Sequence, residues 1–128
     1  MNERTLQRRL AAILSADAQG YSRLMSEDDA ATVRMLATCR ETVAQLVQAR
    51  HGRVVDMPGD NVLAEFGSAV DAVEAAVAIQ HQLAACNSEL SEQRRMQFRI
   101  GVNLGDVIVE DGRIYGDGIN IAARVEKL

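Results

Sequence analysis

The sequence predicts an α+β fold, a mostly antiparallel sheet with helices on one face, and three observations carry that prediction. Short apolar runs alternate with long stretches of three-and-four apolar spacing, in the order strand, helix, strand, strand, helix, strand, strand, helix. Within that order, Arg53 to Phe66 (RVVDMPGDNVLAEF) places Val54, Val55, Val62, Leu63 and Phe66 on either side of Pro58, Gly59, Asp60 and Asn61, a hairpin with turn-forming residues at its tip. The chain has 128 residues, 48% of them apolar and 25% charged, which suits one domain over 1–128 with a single core. Split βαβ units in this order build the ferredoxin-like sandwich. Aromatics are only 3% and Trp is absent, so aliphatic side chains and Ala-rich helices must fill the core.

Leu10 to Ala16 (LAAILSA) reads as a strand buried on both faces, delivering Asp17 to its end, with Gly20 allowing a sharp turn. Tyr21 to Met25 makes a short helical or irregular link, and Ser26 with Asp29 resembles a capping box for a helix from about Glu27 to Ala49. Ala30, Val33, Leu36, Ala37, Val43, Ala44 and Val47 are its expected buried face. His51-Gly52 ends it and the hairpin follows. Ser68 with Asp71 opens a second helix, roughly Ala69 to Cys86, whose expected apolar stripe is Val70, Val73, Val77 and Leu83. After a polar loop, Met96 to Leu104 alternates as a strand, Gly105-Asp106 is expected to break it, and Val107 to Val109 starts another, with a hairpin signal at Glu110-Asp111-Gly112. A last helix, NIAARVEKL, reaches the final residue. A sheet of this kind usually closes with another strand, so the chain is expected to be the front part of a longer domain.

A formal charge of −4, with basic residues scattered apart from a short Arg4, Arg8, Arg9 cluster, argues against a surface that neutralises long nucleic acids. Cys39 and Cys86 lie in helical patterns without disulfide or zinc spacing, and His51 and His81 have no metal-ligand companions. The apolar run Leu10 to Leu14 is too short for a signal peptide and nothing reaches the length of a membrane span, so a cytoplasmic setting is expected.

In the predicted arrangement, the end of the first strand and the tip of the hairpin approach each other, so Asp17 and Asp60 can face one point. Two carboxylates, a backbone carbonyl and phosphate oxygens suit Mg²⁺ or Mn²⁺. The plain alternative makes Asp17 a strand-ending acid and Asp60 a turn residue. Asn120 and Arg124, four residues apart on one helical face, suit a sugar oxygen and a phosphate, or are simply solvated.

Together these residues resemble a family. ILSADAQGYSRLM is similar to the first metal-binding segment of class III nucleotidyl cyclases, RVVDMPGDNVLAEF to their hairpin with the second metal aspartate, and FRIGVNLGDVIVEDGRIYGDGINIAARVEKL to their later strands and transition-state helix. The resemblance runs from about Arg9 to Leu128. It implies that Asp17 and Asp60, helped by the Ala18 carbonyl, bind two divalent ions, Mg²⁺ or Mn²⁺. It implies that Asn120 orients the ribose and that Arg124 stabilises the α-phosphate while a purine nucleoside triphosphate closes to its 3′,5′-cyclic monophosphate and releases pyrophosphate. It also implies a homodimer with composite sites, one subunit giving the aspartates and the other the Asn and Arg.

The chain departs from that pattern at two positions. Where ATP-using members carry a Lys four residues before the second aspartate, this chain has Asp56, and where they carry an acid or Thr seven before the Asn, it has Arg113. An acid at the first position resembles guanylate cyclases, and Arg113 could donate to guanine O6, or Asp56 and Arg113 could pair with each other. The competing reading is a catalytically silent cyclase-like module that dimerises or senses nucleotides. A nucleic-acid-binding domain of this fold would want stacking aromatics on its strands, and MQFRIGVNL offers one Phe.

Overall fold

A computed structural model describes residues 7–110 and 113–115. The elements are β1 (Gln7–Gln19), α1 (Tyr21–Glu27), α2 (Asp29–Ala49), β2 (Arg53–Asp56), β3 (Asn61–Phe66), α3 (Ala69–Asn87), a 3₁₀ turn (Glu92–Arg94), β4 (Gln97–Glu110) and β5 (Arg113–Tyr115). The strands form one antiparallel sheet in the order β2-β3-β1-β4-β5. This is the expected α+β sandwich. Alternate residues of β1, Ala12, Leu14, Ala16 and Ala18, join Leu36, Cys39, Val43 and Val47 of α2 and Ala72, Ala75, Ile79 and Leu83 of α3 in one buried cluster. The opposite face carries Ala11, Ile13 and Val107, and with them the charged residues discussed below. No described helix is long and apolar enough to cross a membrane.

The hairpin forms as its residues require. Gly59 takes φ 59° and the Asn61 N–H donates to the Pro58 carbonyl at 2.9 Å, closing the turn. Ser68 caps α3 by accepting from the Asp71 N–H at 3.4 Å. Helix α2, by contrast, is capped by Asp28, whose Oδ1 accepts from the Ala31 N–H at 3.0 Å, while Ser26 donates back to the Arg23 carbonyl. The expected Ser26–Asp29 box is therefore not used, because Ser26 still lies within α1.

Other expectations are corrected. β4 runs unbroken through Gly105 and Asp106, because the long β1 pairs with both, as Ala11↔Gly105 and Leu10↔Asp106, and Gly105 has no positive φ. On α3 the valines Val70, Val73 and Val77 are at least 50% exposed, and Ala72, Ala75, Ile79 and Leu83 face the sheet. Alanines let the helix lie close to the strands, so the smaller side chains take the inner face. On α2, Leu36, Val43 and Val47 are inside as expected, whereas Val33 is exposed and Thr32 and Cys39 take the inner positions. Cys39 is buried, which pushes its thiol up to about 11, helped by the nearby Cys86; Cys86 itself is exposed and both are free.

One buried charge holds together the face of the sheet that carries no described helix. Glu65 of β3, its side chain 6% exposed, accepts from Arg9 of β1 at 2.6 and 2.7 Å and from Arg53 of β2 at 2.6 and 3.1 Å. The carboxylate thus ties three adjacent strands, and its desolvation is offset by two forked donors. Removing it leaves two cations facing each other on the sheet. Glu65→Ala is expected to lower unfolding stability by about 3 kcal/mol in urea titrations, with Glu65→Gln milder; an Ala variant as stable as the parent contradicts the triad.

Candidate metal and phosphate site

Strand register builds the site. β1 is flanked on one side by β3, with Asp17 opposite Asn61, and on the other by β4, with Asp17 opposite Arg99. Asp60 is the turn residue immediately before Asn61, so the hairpin tip sets it beside Asp17. The carboxyl of Asp60 is held above its ordinary value first by burial, then by the charge of Asp17, with which it also shares a hydrogen bond. Its own backbone N–H and the charge of Arg40 on α2 pull the other way. The structure therefore brings together the two carboxylates picked out in the sequence.

Ala18 follows Asp17 with its side chain in the core, opposite Phe98. The β1–β3 ladder ends at Asp17↔Asn61 while the β1–β4 ladder continues to Gln19↔Gln97, so the β3-side edge of Ala18 and Gln19 has no strand partner. That open edge lies beside the hairpin tip. Ser15, two residues before Asp17 on the same face, donates from Oγ to Asn61 Oδ1 at 3.3 Å and steadies the start of β3.

Two cations that the sequence did not single out flank the carboxylates. Arg99 Nη2 donates to Asp17 Oδ2 at 3.1 Å, and the buried Arg99 Nε has no hydrogen-bond partner among the described residues. Arg40 likewise has buried Nε and Nη2 atoms without one. Buried donors left unspent are costly unless a ligand or water meets them, and a phosphate oxygen suits both. Only knowledge of the β1–β4 register could have nominated Arg99.

The donor set fits a hard divalent cation. Two carboxylates at close quarters, one of them held above its ordinary pKa by burial and then by the charge of the other, are relieved by positive charge between them, and the open strand edge of β1 adds oxygen-donor capacity. Among the described residues no group of three or more His, Cys, Asp or Glu gathers, so water and phosphate oxygens would complete the coordination.

Asp56 ends β2, exposed, with its Oδ1 accepting from the Met57 N–H at 2.8 Å. Arg113 begins β5 at the other edge of the sheet. Asp56 is level with Leu63, Ser15 and Gly101, whereas Arg113 is level with Glu110, a run of about 30 Å along β4. Within one chain the two positions therefore lie far apart along the sheet. Asn120 and Arg124 lie outside the described residues.

The described residues thus form a two-layer α+β domain with paired carboxylates near the end of its central strand and arginines beside them. The chain belongs to the family of the adenylate and guanylate cyclase catalytic domain, whose profile matches residues 6–128. It is 53% identical over its whole length to "Putative adenylate cyclase 3" of Rhizobium meliloti (strain 1021), of which it covers 22%. It is 30% identical, over 99% of its length, to an adenylate cyclase of Streptomyces coelicolor, of which it covers 32%. A crystal structure of an adenylate/guanylate cyclase/hydrolase from Silicibacter pomeroyi matches 96% of this chain and 72% of that one, at 39% identity and a TM-score of 0.87. The chain thus spans less than a third of the length of these two named relatives.

Because the Asp60 pKa is raised on folding, its contribution to stability is present below the ordinary carboxylate value and lost as pH rises through the folded value. Asp60→Asn should therefore melt higher than the parent in EDTA at neutral pH, with the difference vanishing in acid. It should also lose the protection that Mg²⁺ gives the parent, about 2.7 kcal/mol at roughly a hundredfold excess over Kd. Thermal scans with and without Mg²⁺ check both, and an Asn variant still protected by Mg²⁺ contradicts the cation site.

Proposed function

We propose that this domain is a nucleotidyl cyclase that converts a purine nucleoside triphosphate to its 3′,5′-cyclic monophosphate and pyrophosphate. The observation that supports it most is the meeting of Asp17 and Asp60 at one end of β1, where the register leaves a backbone edge open. Asp17, Asp60 and the Ala18 carbonyl would hold two divalent ions, Mg²⁺ or Mn²⁺. Such ions supply charge stabilisation at the α-phosphate and lower the pKa of the attacking 3′-hydroxyl. The chain's own work is positioning and electrostatics. Asp17 and Asp60 fix where the α-phosphate lies. A cation held by Asp17 would leave the Arg99 guanidinium free to face phosphate oxygens. Asn120 would orient the ribose and Arg124 would take charge on the α-phosphate, both from the second subunit of a homodimer.

The names of the two relatives point to ATP. Asp56 points to GTP, since a carboxylate accepts from guanine N1–H and the 2-amino group, which adenine cannot donate in that pattern. Met57 N–H occupies one Asp56 oxygen and leaves the other for a base. Arg113, far along the sheet, would serve guanine O6 only where the dimer brings its hairpin to the site. The same Asp56–Met57 bond favours the second reading, a catalytically silent cyclase-like dimerisation or nucleotide-sensing module, because an acid spent on a turn reads nothing.

Incubating the full chain with ATP or GTP and Mn²⁺, and quantifying cyclic nucleotide and pyrophosphate, decides between the readings. The cyclase reading expects product from at least one nucleotide and a loss of at least about a hundredfold in Asp60→Ala. No product above that control from either nucleotide leaves the silent module standing. Asp56→Lys should raise kcat/KM for ATP relative to GTP by about tenfold or more if Asp56 reads the base, and an unchanged ratio removes it from that role.

A further inference from the structure

Asp17 has a donor residue on each side of its strand, and the two differ in charge. On the β4 side, the Arg99 guanidinium donates from Nη2 to Asp17 Oδ2 at 3.1 Å. On the β3 side, the register sets Asn61 directly across from Asp17. Residues opposed in an antiparallel pair put their side chains on one face, with Cβ atoms about 4.5–5.5 Å apart, which brings a carboxamide within reach of a carboxylate.

Asn61 is half-buried and anchored twice. Its backbone N–H donates to the Pro58 carbonyl at 2.9 Å and closes the hairpin turn, and its Oδ1 accepts from Ser15 Oγ at 3.3 Å. Ser15 is fully buried and stands two residues before Asp17, so it shares the face of Asp17. A carboxamide has one acceptor oxygen and one donor nitrogen. Ser15 takes the oxygen, and among the described residues the Asn61 Nδ2 hydrogens make no hydrogen bond. Nδ2 is therefore the group left to Asp17.

A carboxylate that ligates a cation through one oxygen is oriented by a hydrogen bond to the other. The donor that makes this bond decides how well the cation is tolerated. A guanidinium carries a full positive charge and repels a cation bound to the same carboxylate, whereas an amide brings donor hydrogens without net charge.

We propose that Asn61, held by Ser15, is a positioning residue for the cation site: its Nδ2 donates to the Asp17 oxygen that the cation leaves free and so fixes the plane of the carboxylate. The inference rests on the reading of Asp17 and Asp60 as a cation site. It adds two residues to which neither the family resemblance nor the site described above gives a part in cation binding. In the sequence both are hidden, Ser15 inside an apolar run and Asn61 among turn formers.

The probe is Mn²⁺, whose binding to the full chain is followed by the loss of the free-ion electron paramagnetic resonance signal. The variants are Asn61→Ala, Ser15→Ala, the two combined, and Asp17→Ala as reference. Asn61→Ala is expected to weaken Mn²⁺ binding about fivefold, Ser15→Ala to weaken it in the same direction, and the double variant to bind no worse than Asn61→Ala alone, because Ser15 acts through Asn61. Melting in EDTA reads the contribution of the Ser15–Asn61 bond to the fold separately. A lower melting point in EDTA with an unchanged Mn²⁺ constant for the folded variants shows a merely structural pair and overturns the inference, as do losses that add in the double variant. Binding lost in Asp17→Ala but kept in full by Asn61→Ala removes only the role of Asn61. Binding that survives Asp17→Ala removes the cation reading and this inference with it.

Discussion

The register of β1 between its two antiparallel neighbours is the constraint on which the rest depends. Side chains alternate along a strand, so pairing Asp17 with Asn61 on one side and Arg99 on the other decides that all three belong to the face that carries no described helix. A slip of one residue would turn Asp17 into the core and Ala16 and Ala18 out of it. The small residues of β1, Ala12, Ala16 and Ala18, let α2 and α3 approach one face of the sheet while the other is kept for charge. The Glu65 triad bonds β2, β3 and β1 across that charged face, and so holds the hairpin that carries Asp60 against the strand that carries Asp17.

Charge on this face is arranged in two different ways. Glu65 is buried with two guanidinia already in place, a closed arrangement with its hydrogen bonds made. Asp17 and Asp60 are left in mutual repulsion, with Arg99 bonded to only one of them and Arg40 acting on the other from α2. The first arrangement is a structural joint. The second is open, with unspent donors on both arginines and a carboxyl that resists ionisation, as expected of a place that a cation and a phosphate complete.

Much of this was legible in the residues. The turn formers of Pro58 to Asn61, flanked by β-branched side chains, gave the hairpin, and the buried apolar run of Leu10 to Ala16 gave the first strand, although β1 runs on past Asp17 to Gln19; together they brought Asp17 and Asp60 to one point. What was not legible is what pairing decides. Gly105-Asp106 reads as a break until β1 is known to be long enough to pair with it. The valines of α3 outrank its alanines in any hydrophobic count, yet the alanines face the sheet because close approach favours the smaller side chain. Arg99 and Glu65 are unremarkable charges in the chain and gain a role only from the partners that strand order sets beside them. Asp56 and Arg113 show the converse, since residues that look complementary in sequence lie at opposite ends of the sheet.

The central claim is that Asp17 and Asp60 share a divalent cation. Its most direct test is anomalous diffraction at the manganese edge from crystals of the chain grown with Mn²⁺ and a non-hydrolysable nucleoside triphosphate. The account predicts a peak between the Asp17 and Asp60 carboxylates, with Arg99 withdrawn from Asp17 and turned to a phosphate oxygen. Manganese bound away from both carboxylates, or Arg99 still bonded to Asp17 beside a bound nucleotide, would contradict it.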